Sequence, residues 1–322
     1  MRLTDRTPRQ QLTQHGLQVS LGALWLVEAA LQTRSVMFTS AFSASVISAD
    51  GDNQPTFVAG PVHTVARWVG LHPGAWNAAF VAIEALIGVG LLTRQFARPA
   101  VAASVVWGLL VWWLVEGLGG LFGGSANLLT GAPGAGLLFA VLGLAAWPPL
   151  DRLRGRWSAP TDRTPPRWLV WVWAAIWLGG AILQYSPDER PAADLAATIS
   201  DTAANSPDWL ARIDVHLASW LGRTHSSGPA AVIVTITLVE AVIGLAAVRP
   251  GLSRTIACWA GIVLALAFWL FGQGLGAVFK GLAMDLQTAP LVVLTGVAVL
   301  ATNEIRRGSA SRRGLAGGRR RW

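Results

Sequence analysis

Apolar runs close to 20 residues long recur through the whole chain and constrain its fold more than any other feature. A hydrocarbon core about 30 Å thick needs about 20 predominantly apolar residues per helical crossing. Eight stretches approach that length: 17–36, 75–93, 98–117, 133–149, 168–185, 229–248, 256–275 and the shorter 289–302. They are continuous rather than alternating, which excludes the strands of a membrane barrel, whereas helices satisfy their own backbone groups in lipid. Composition agrees, with 53% hydrophobic and 13% charged residues and 17 tryptophans. The reading is an all-α integral membrane protein with eight transmembrane helices.

Arginine placement orients these spans, because basic residues gather on the cytoplasmic side. With the N-terminus inside, the inner segments hold Arg2, Arg6, Arg9, Arg94, Arg98, Arg152, Arg154, Arg156, Arg163, Arg167, Arg249, Arg254 and seven arginines from Arg306 to Arg321. The outer segments keep only Arg34, Arg67, Arg190, Arg212, Arg223 and Lys280, and the two long outer loops collect Asp50, Asp52, Asp188, Glu189, Asp194, Asp201, Asp208 and Asp214. Both termini are therefore expected in the cytoplasm of a multi-pass protein of a bacterial-type plasma membrane. The net charge of +8 has no zinc spacing or RNA-binding signature beside it. It is read as contact with anionic membrane lipids rather than nucleic acid, above all through the tail at 306–322, expected to be disordered.

The chain repeats itself. LWLVEAALQ at 24–32 aligns with IWLGGAILQ at 176–184, and VAIEALIGVGLL at 81–92 with TLVEAVIGLAAV at 237–248. Trp112, Glu116, Gly117, Gly119, Phe122 and Pro133 align with Trp269, Gln273, Gly274, Gly276, Phe279 and Pro290, which explains two glycine-rich runs in one protein. The expected domains are a four-helix repeat at 1–149, a cytoplasmic linker at 150–167, a second repeat at 168–305 and the basic tail. An even number of spans per unit makes the repeats parallel. Each long outer loop should carry an interfacial helix. In the second, Ser206 caps, Pro207 sits in the first turn, and Trp209, Leu210, Ile213, Leu217, Trp220 and Leu221 form one apolar stripe. The first has a shorter version beginning at Pro61.

The run EALIGVGLLTRQFARPA, a glutamate followed by small residues, a glycine pair and a short basic turn, resembles the second helix of DoxX/DoxD-like membrane proteins, and the first span with its long outer loop fits the same four-helix plan. The resemblance covers most of the chain, since both halves match. It implies a membrane protein tied to redox systems, as an accessory or quinone-facing subunit of an oxidoreductase assembly, with quinone as a ligand and other oxidoreductase subunits as partners.

Polar side chains inside the spans are the candidate site. Glu84 and Glu240 stand near the middle of their helices, where a charged residue costs about 2.5–3.5 kcal/mol on insertion scales. They serve either proton transfer and quinone hydrogen bonding, or packing between helices beside Gly88 and Gly244; packing is the preferred reading. Gln32 and Gln184 recur at the outer ends and suit helix cross-links. Glu28 is replaced by Gly180 and Glu116 by Gln273 in the second copy. A scaffold keeps its packing groups in both copies, so this loss places any binding site in the outer part of the first.

The remaining chemistry is sparse. GLGGLFGG lacks the strand and crossover helix of a nucleotide-binding loop and reads as a tight turn. His63, His72, His216 and His225 fall in the outer loops, at spacings unsuited to paired metal ligands on one helix face. The single cysteine, Cys258, excludes an internal disulfide, a CxxC pair and a covalently attached haem. No metal and no covalently bound cofactor is expected. Competing with the redox reading are a small-molecule or proton-coupled transporter with a path between the repeats, and a purely structural membrane partner.

Overall fold

The computed structural model describes residues 12–124, 126–148, 163–184, 191–223, 227–280 and 283–317. Among them every regular element is helical. The longer ones are α1 (Gln14–Gln32), α2 (Thr56–Leu71), α3 (Pro73–Leu92), α4 (Ala97–Leu114), α5 (Ala135–Ala145), α6 (Leu169–Leu183), α7 (Pro191–Asn205), α8 (Asp208–Arg223), α9 (Ser227–Val248), α10 (Leu252–Phe271) and α11 (Thr288–Gly317). Four are long and apolar enough to cross a membrane: α3, α4, α10 and the Ala230–Val248 part of α9. Three others, α5, α6 and Thr288–Thr302 of α11, are apolar but shorter. α5 starts late because Gly134 turns with φ of +103° after Pro133, and stops before Pro148, which disfavours helix at the preceding residue. α1 has the length but is interrupted by Gln14, Gln18, Glu28 and Gln32.

The same pairing scheme appears in each half. α1 packs on α3 and α4 on α5; α6 packs on α9 and α10 on α11. The glycine one turn after each buried glutamate sits where two helices touch. A Cβ on Gly88 would stand 2.9 Å from the Gly22 carbonyl oxygen, and one on Gly244 3.1 Å from that of Ala174. Gly108 and Gly136 meet in the same way between α4 and α5. Close backbone approach replaces the hydrophobic drive that lipid cannot supply. Large side chains such as Leu86, Val106, Trp171, Ile182, Leu238, Val242 and Val263 lie exposed around the bundle. Helices apolar on every side have an apolar surroundings to match.

Several expectations need correction. The interfacial helix of the first loop does not begin at Pro61. It begins after Pro55, contains Pro61, and at 16 residues equals its counterpart α8. Ser206 does not cap α8: its hydroxyl lies 3.0 Å from the Thr202 carbonyl and 2.9 Å from Asp214 Oδ2, and the first bonds of α8 run to Pro207 O. The α8 stripe is split. Leu210, Asp214, Ala218 and Leu221 are buried, while Trp209, Ile213 and Trp220 point outward, because the helix packs on α7 and only one of its faces is covered. Finally, α11 continues to Gly317, so 306–317 is helical where disorder was expected, despite Gly308 and Gly314. Most of the linker at 150–167 and residues 318–322 lie outside the described residues.

Candidate functional site

The two glycine-rich hairpins have matching backbones. Leu118 and Gly119 take positive φ of 58° and 66°, and Leu275 and Gly276 take 57° and 71°. At each, a tryptophan from the preceding helix donates its indole N–H to a carbonyl of the returning chain: Trp112 to Pro133 at 2.6 Å and Trp269 to Leu286 at 2.9 Å. The position answering to Pro133 in space is thus Leu286, not the sequence-matched Pro290, because the second hairpin returns by a different route.

The hairpins exchange contents. The first sends Leu128 and Leu129 into the second half, where a Cβ on Gly180 would overlap Leu128 and one on Gly272 would overlap Leu129. Gln273 fixes this segment, donating to the Leu128 carbonyl at 3.2 Å and accepting from Ala289 N–H at 3.2 Å. Beside Gly180, the residue aligned with Glu28, the space is filled by Leu128. The second hairpin sends Met284 and Asp285 to the first half, where Leu286 N–H donates to Glu28 at 3.2 Å.

In that first half a cavity of about 170 Å³ remains. Aromatic rings from α1, α3, α4 and α5, among them Trp25, Trp76, Phe80, Trp107 and Phe139, form its walls, and Glu28, Gln32, Glu84, Glu116 and Asp285 line it too. Glu84 Oε1 accepts from Gln32 Nε2 at 3.0 Å and from Trp107 Nε1 at 3.4 Å. Gln32 is itself held by Asn77, which donates to its backbone carbonyl at 2.8 Å. Two atoms of the cavity lining are left over. Glu84 Oε2 and Gln32 Oε1 are buried and have no partner, in residues only 3% exposed. Glu116 is satisfied differently, by the Gly136 N–H at 2.9 Å from Oε1.

A second, more polar cavity of about 490 Å³ lies between the hairpins and shares Glu116, Ala135, Met284 and Asp285 with the first. Asp50 opens onto it. Asp285 stands at the junction, and burial pushes its carboxyl up to about 6 against the pull of the Gln287 N–H. None of the described residues lining either cavity is lysine, arginine or histidine.

Of the residues singled out in sequence, Glu28, Gln32, Glu84 and Glu116 converge on one cavity. Glu240 does not join them. It is fully buried in the other half, where the Gln184 amide lies beside it but neither oxygen makes a well-formed hydrogen bond. Gln273 is a structural clamp. Asp285 and the aromatic walls were missed; the acid in FKGLAMDLQ was visible, but only the hairpin exchange brings it across to the other half. His63 pairs with Asp52 at 3.4 Å and His216 bonds the Arg212 carbonyl, while His225 lies outside the described residues. Among the described residues no group of three or more His, Cys, Asp or Glu is arranged to hold a metal ion. No protein-family model matches the chain, and no curated protein or solved structure gives a significant match.

Proposed function

We propose that this chain is a DoxX-like membrane protein whose first half binds a quinone-type ring, as a quinone-facing or accessory subunit of a membrane redox assembly. The observation that carries the reading is the 170 Å³ aromatic cavity with two unpartnered polar atoms on its wall, Glu84 Oε2 and Gln32 Oε1. A cavity of about 150 Å³ suffices for one benzene ring. Aromatic walls with few fixed polar groups are the usual makeup of a small-molecule site. Trp25 and Phe139, stacked with centroids 4.0 Å apart, give a flat wall for a ring. Glu84 would orient a ring oxygen and hold or release a proton there, with Gln32 and Trp107 fixing its carboxyl. Bound quinone would supply two-electron chemistry that the chain, with one cysteine and no metal cluster among its described residues, has no group of its own to perform.

The wider architecture belongs to the same proposal. Two parallel four-helix repeats, eight spans with both termini cytoplasmic, and an arginine-rich inner face on anionic lipid are supported by the arginine distribution, the common pairing scheme of the halves and their matching hairpins. Other oxidoreductase subunits would meet the outer face, where Trp209 and Trp220 are exposed. The transporter reading has one observation in its favour, the polar cavity continuous with the aromatic one. Purification of the full chain in mild detergent, followed by quinone extraction and titration with a short-chain quinone, tests the proposal. We expect close to one quinone per chain and its loss in Glu84→Gln. Absence of both co-purified and added quinone would sink the reading.

A further inference from the structure

We propose that the first-half cavity also binds lipophilic organic cations, an ammonium centre carried on an aromatic or alkyl group. This does not rest on the quinone reading. Carboxyl groups reach the cavity from four separate elements: Glu28 on α1, Glu84 on α3, Glu116 after α4 and Asp285 in the second hairpin. No basic side chain lines the cavity to balance them. Glu28, Glu116 and Asp285 each accept a backbone N–H, from Leu286, Gly136 and Gln287. Glu84 keeps a buried oxygen that nothing in the protein answers, and Gln32 Oε1 is in the same state.

The two buried polar atoms left free on this wall are therefore acceptors, in a site that is rich in carboxyl groups and walled by tryptophan. An aromatic face attracts a cation electrostatically, most strongly when both are shielded from water. A carboxylate in the same enclosure adds direct charge pairing that solvent does little to screen. An inorganic ion does not suit the site, because most of its wall is ring and aliphatic carbon that replaces no hydration, and among the described residues no three ligands are grouped to hold one. A cation that brings its own apolar surface meets both halves of the wall. The polar cavity between the hairpins, lined by Asp50, Glu116 and Asp285, gives it an approach lined with carboxyl groups.

The probe is benzyltrimethylammonium, one ring and one fixed charge; its uncharged isostere is neopentylbenzene. Radiolabelled cation is titrated onto the full chain in nonionic detergent at constant ionic strength. Saturable binding of one cation per chain is expected, with neopentylbenzene needing at least tenfold higher free concentration to displace it. Glu84→Gln should weaken binding at least tenfold, while Glu240→Gln, a buried carboxyl outside the cavity, should leave it within twofold. If Glu84→Gln fails to fold, Trp76→Leu, which removes a partly exposed ring of the wall, should weaken the cation several-fold and the isostere much less. Absence of saturable binding, equal displacement by the isostere, or unchanged affinity in folded Glu84→Gln overturns the proposal. Quinone titration on the same sample keeps the two ideas apart: quinone binding without cation binding removes this proposal alone, and cation binding without quinone supports it and removes the quinone reading alone.

Discussion

The backbone N–H of Leu286 donates to Glu28 across 258 positions of sequence, at 3.2 Å to Oε2 and 3.4 Å to Oε1. A carboxyl on the first helix is thus completed by the last hairpin, and Leu128 makes the reverse journey to lie against Gly180.

That exchange has a packing test. A Cβ on Gly180 would overlap the Leu128 side chain and stand 3.3 Å from Glu240 Cδ. Gly180→Ala should therefore lower the melting temperature of the detergent-solubilised protein, as overpacking typically costs about 1–3 kcal/mol. Leu128→Ala alone should cost about 2–5 kcal/mol by leaving a cavity. The double variant should lose less than the sum, because each change relieves the other. Strict additivity would show that the two sites do not touch.

The two buried glutamates should respond differently to the same change. Glu240 is buried with only the neighbouring Gln184 amide beside it and no well-formed hydrogen bond to either oxygen, so Glu240→Gln removes an ionisable group from an apolar enclosure and should melt at or above the parent temperature. Glu84 accepts from Gln32 and Trp107, and Glu84→Gln sets its amide against that of Gln32, with an expected loss of about 1 kcal/mol. A Glu240 variant that melts well below the Glu84 variant would contradict this order.

Asp285 gives the stability a pH dependence. Its carboxyl is held at about 6 by burial, above the roughly 3.9 of a free aspartate. The native state therefore keeps a proton that the unfolded chain gives up first. The resulting stabilisation is complete below about pH 4 and is lost as pH rises through about 6. Tryptophan-monitored melting should show a fall between pH 5 and pH 7 that Asp285→Asn partly removes, the variant melting a few degrees above the parent at pH 7.5. An Asn variant with the parent's full pH slope would rule Asp285 out as its source.

Orientation can be checked with one labelling experiment. Cys258, buried in α10, is replaced by serine, and single cysteines are placed at the exposed positions Asp52 and Arg249. On intact cells an impermeant thiol reagent should modify Asp52→Cys only. Labelling of Arg249→Cys alone would invert the proposed topology.

Much of this was legible in the chain itself. Apolar runs located the principal helices to within a few residues, since their length and continuity are direct consequences of burying a backbone in an apolar medium. Glu28, Glu84 and Glu116 stood out because a carboxyl in such a run needs a reason, and all three line the same cavity. Asp285, Leu128 and the Trp112–Pro133 contact were out of reach. Local pattern carries no record of which half a hairpin enters, and Leu286 takes the place of Pro133 only because the second hairpin is routed differently. The start of α2 was missed because two prolines, Pro55 and Pro61, compete for the same role, and the one interior to the helix was the more conspicuous.

The filling of one half by Leu128 also sets a stoichiometry. A molecule assembled from two like units would ordinarily offer two equivalent compartments, and occupancy of one could influence the other. Here the second compartment is already taken by the chain's own leucine. If the halves are the repeats proposed above, a ligand of the first-half cavity has no equivalent compartment in the second, and its saturation curve should be a simple hyperbola with a Hill coefficient of one.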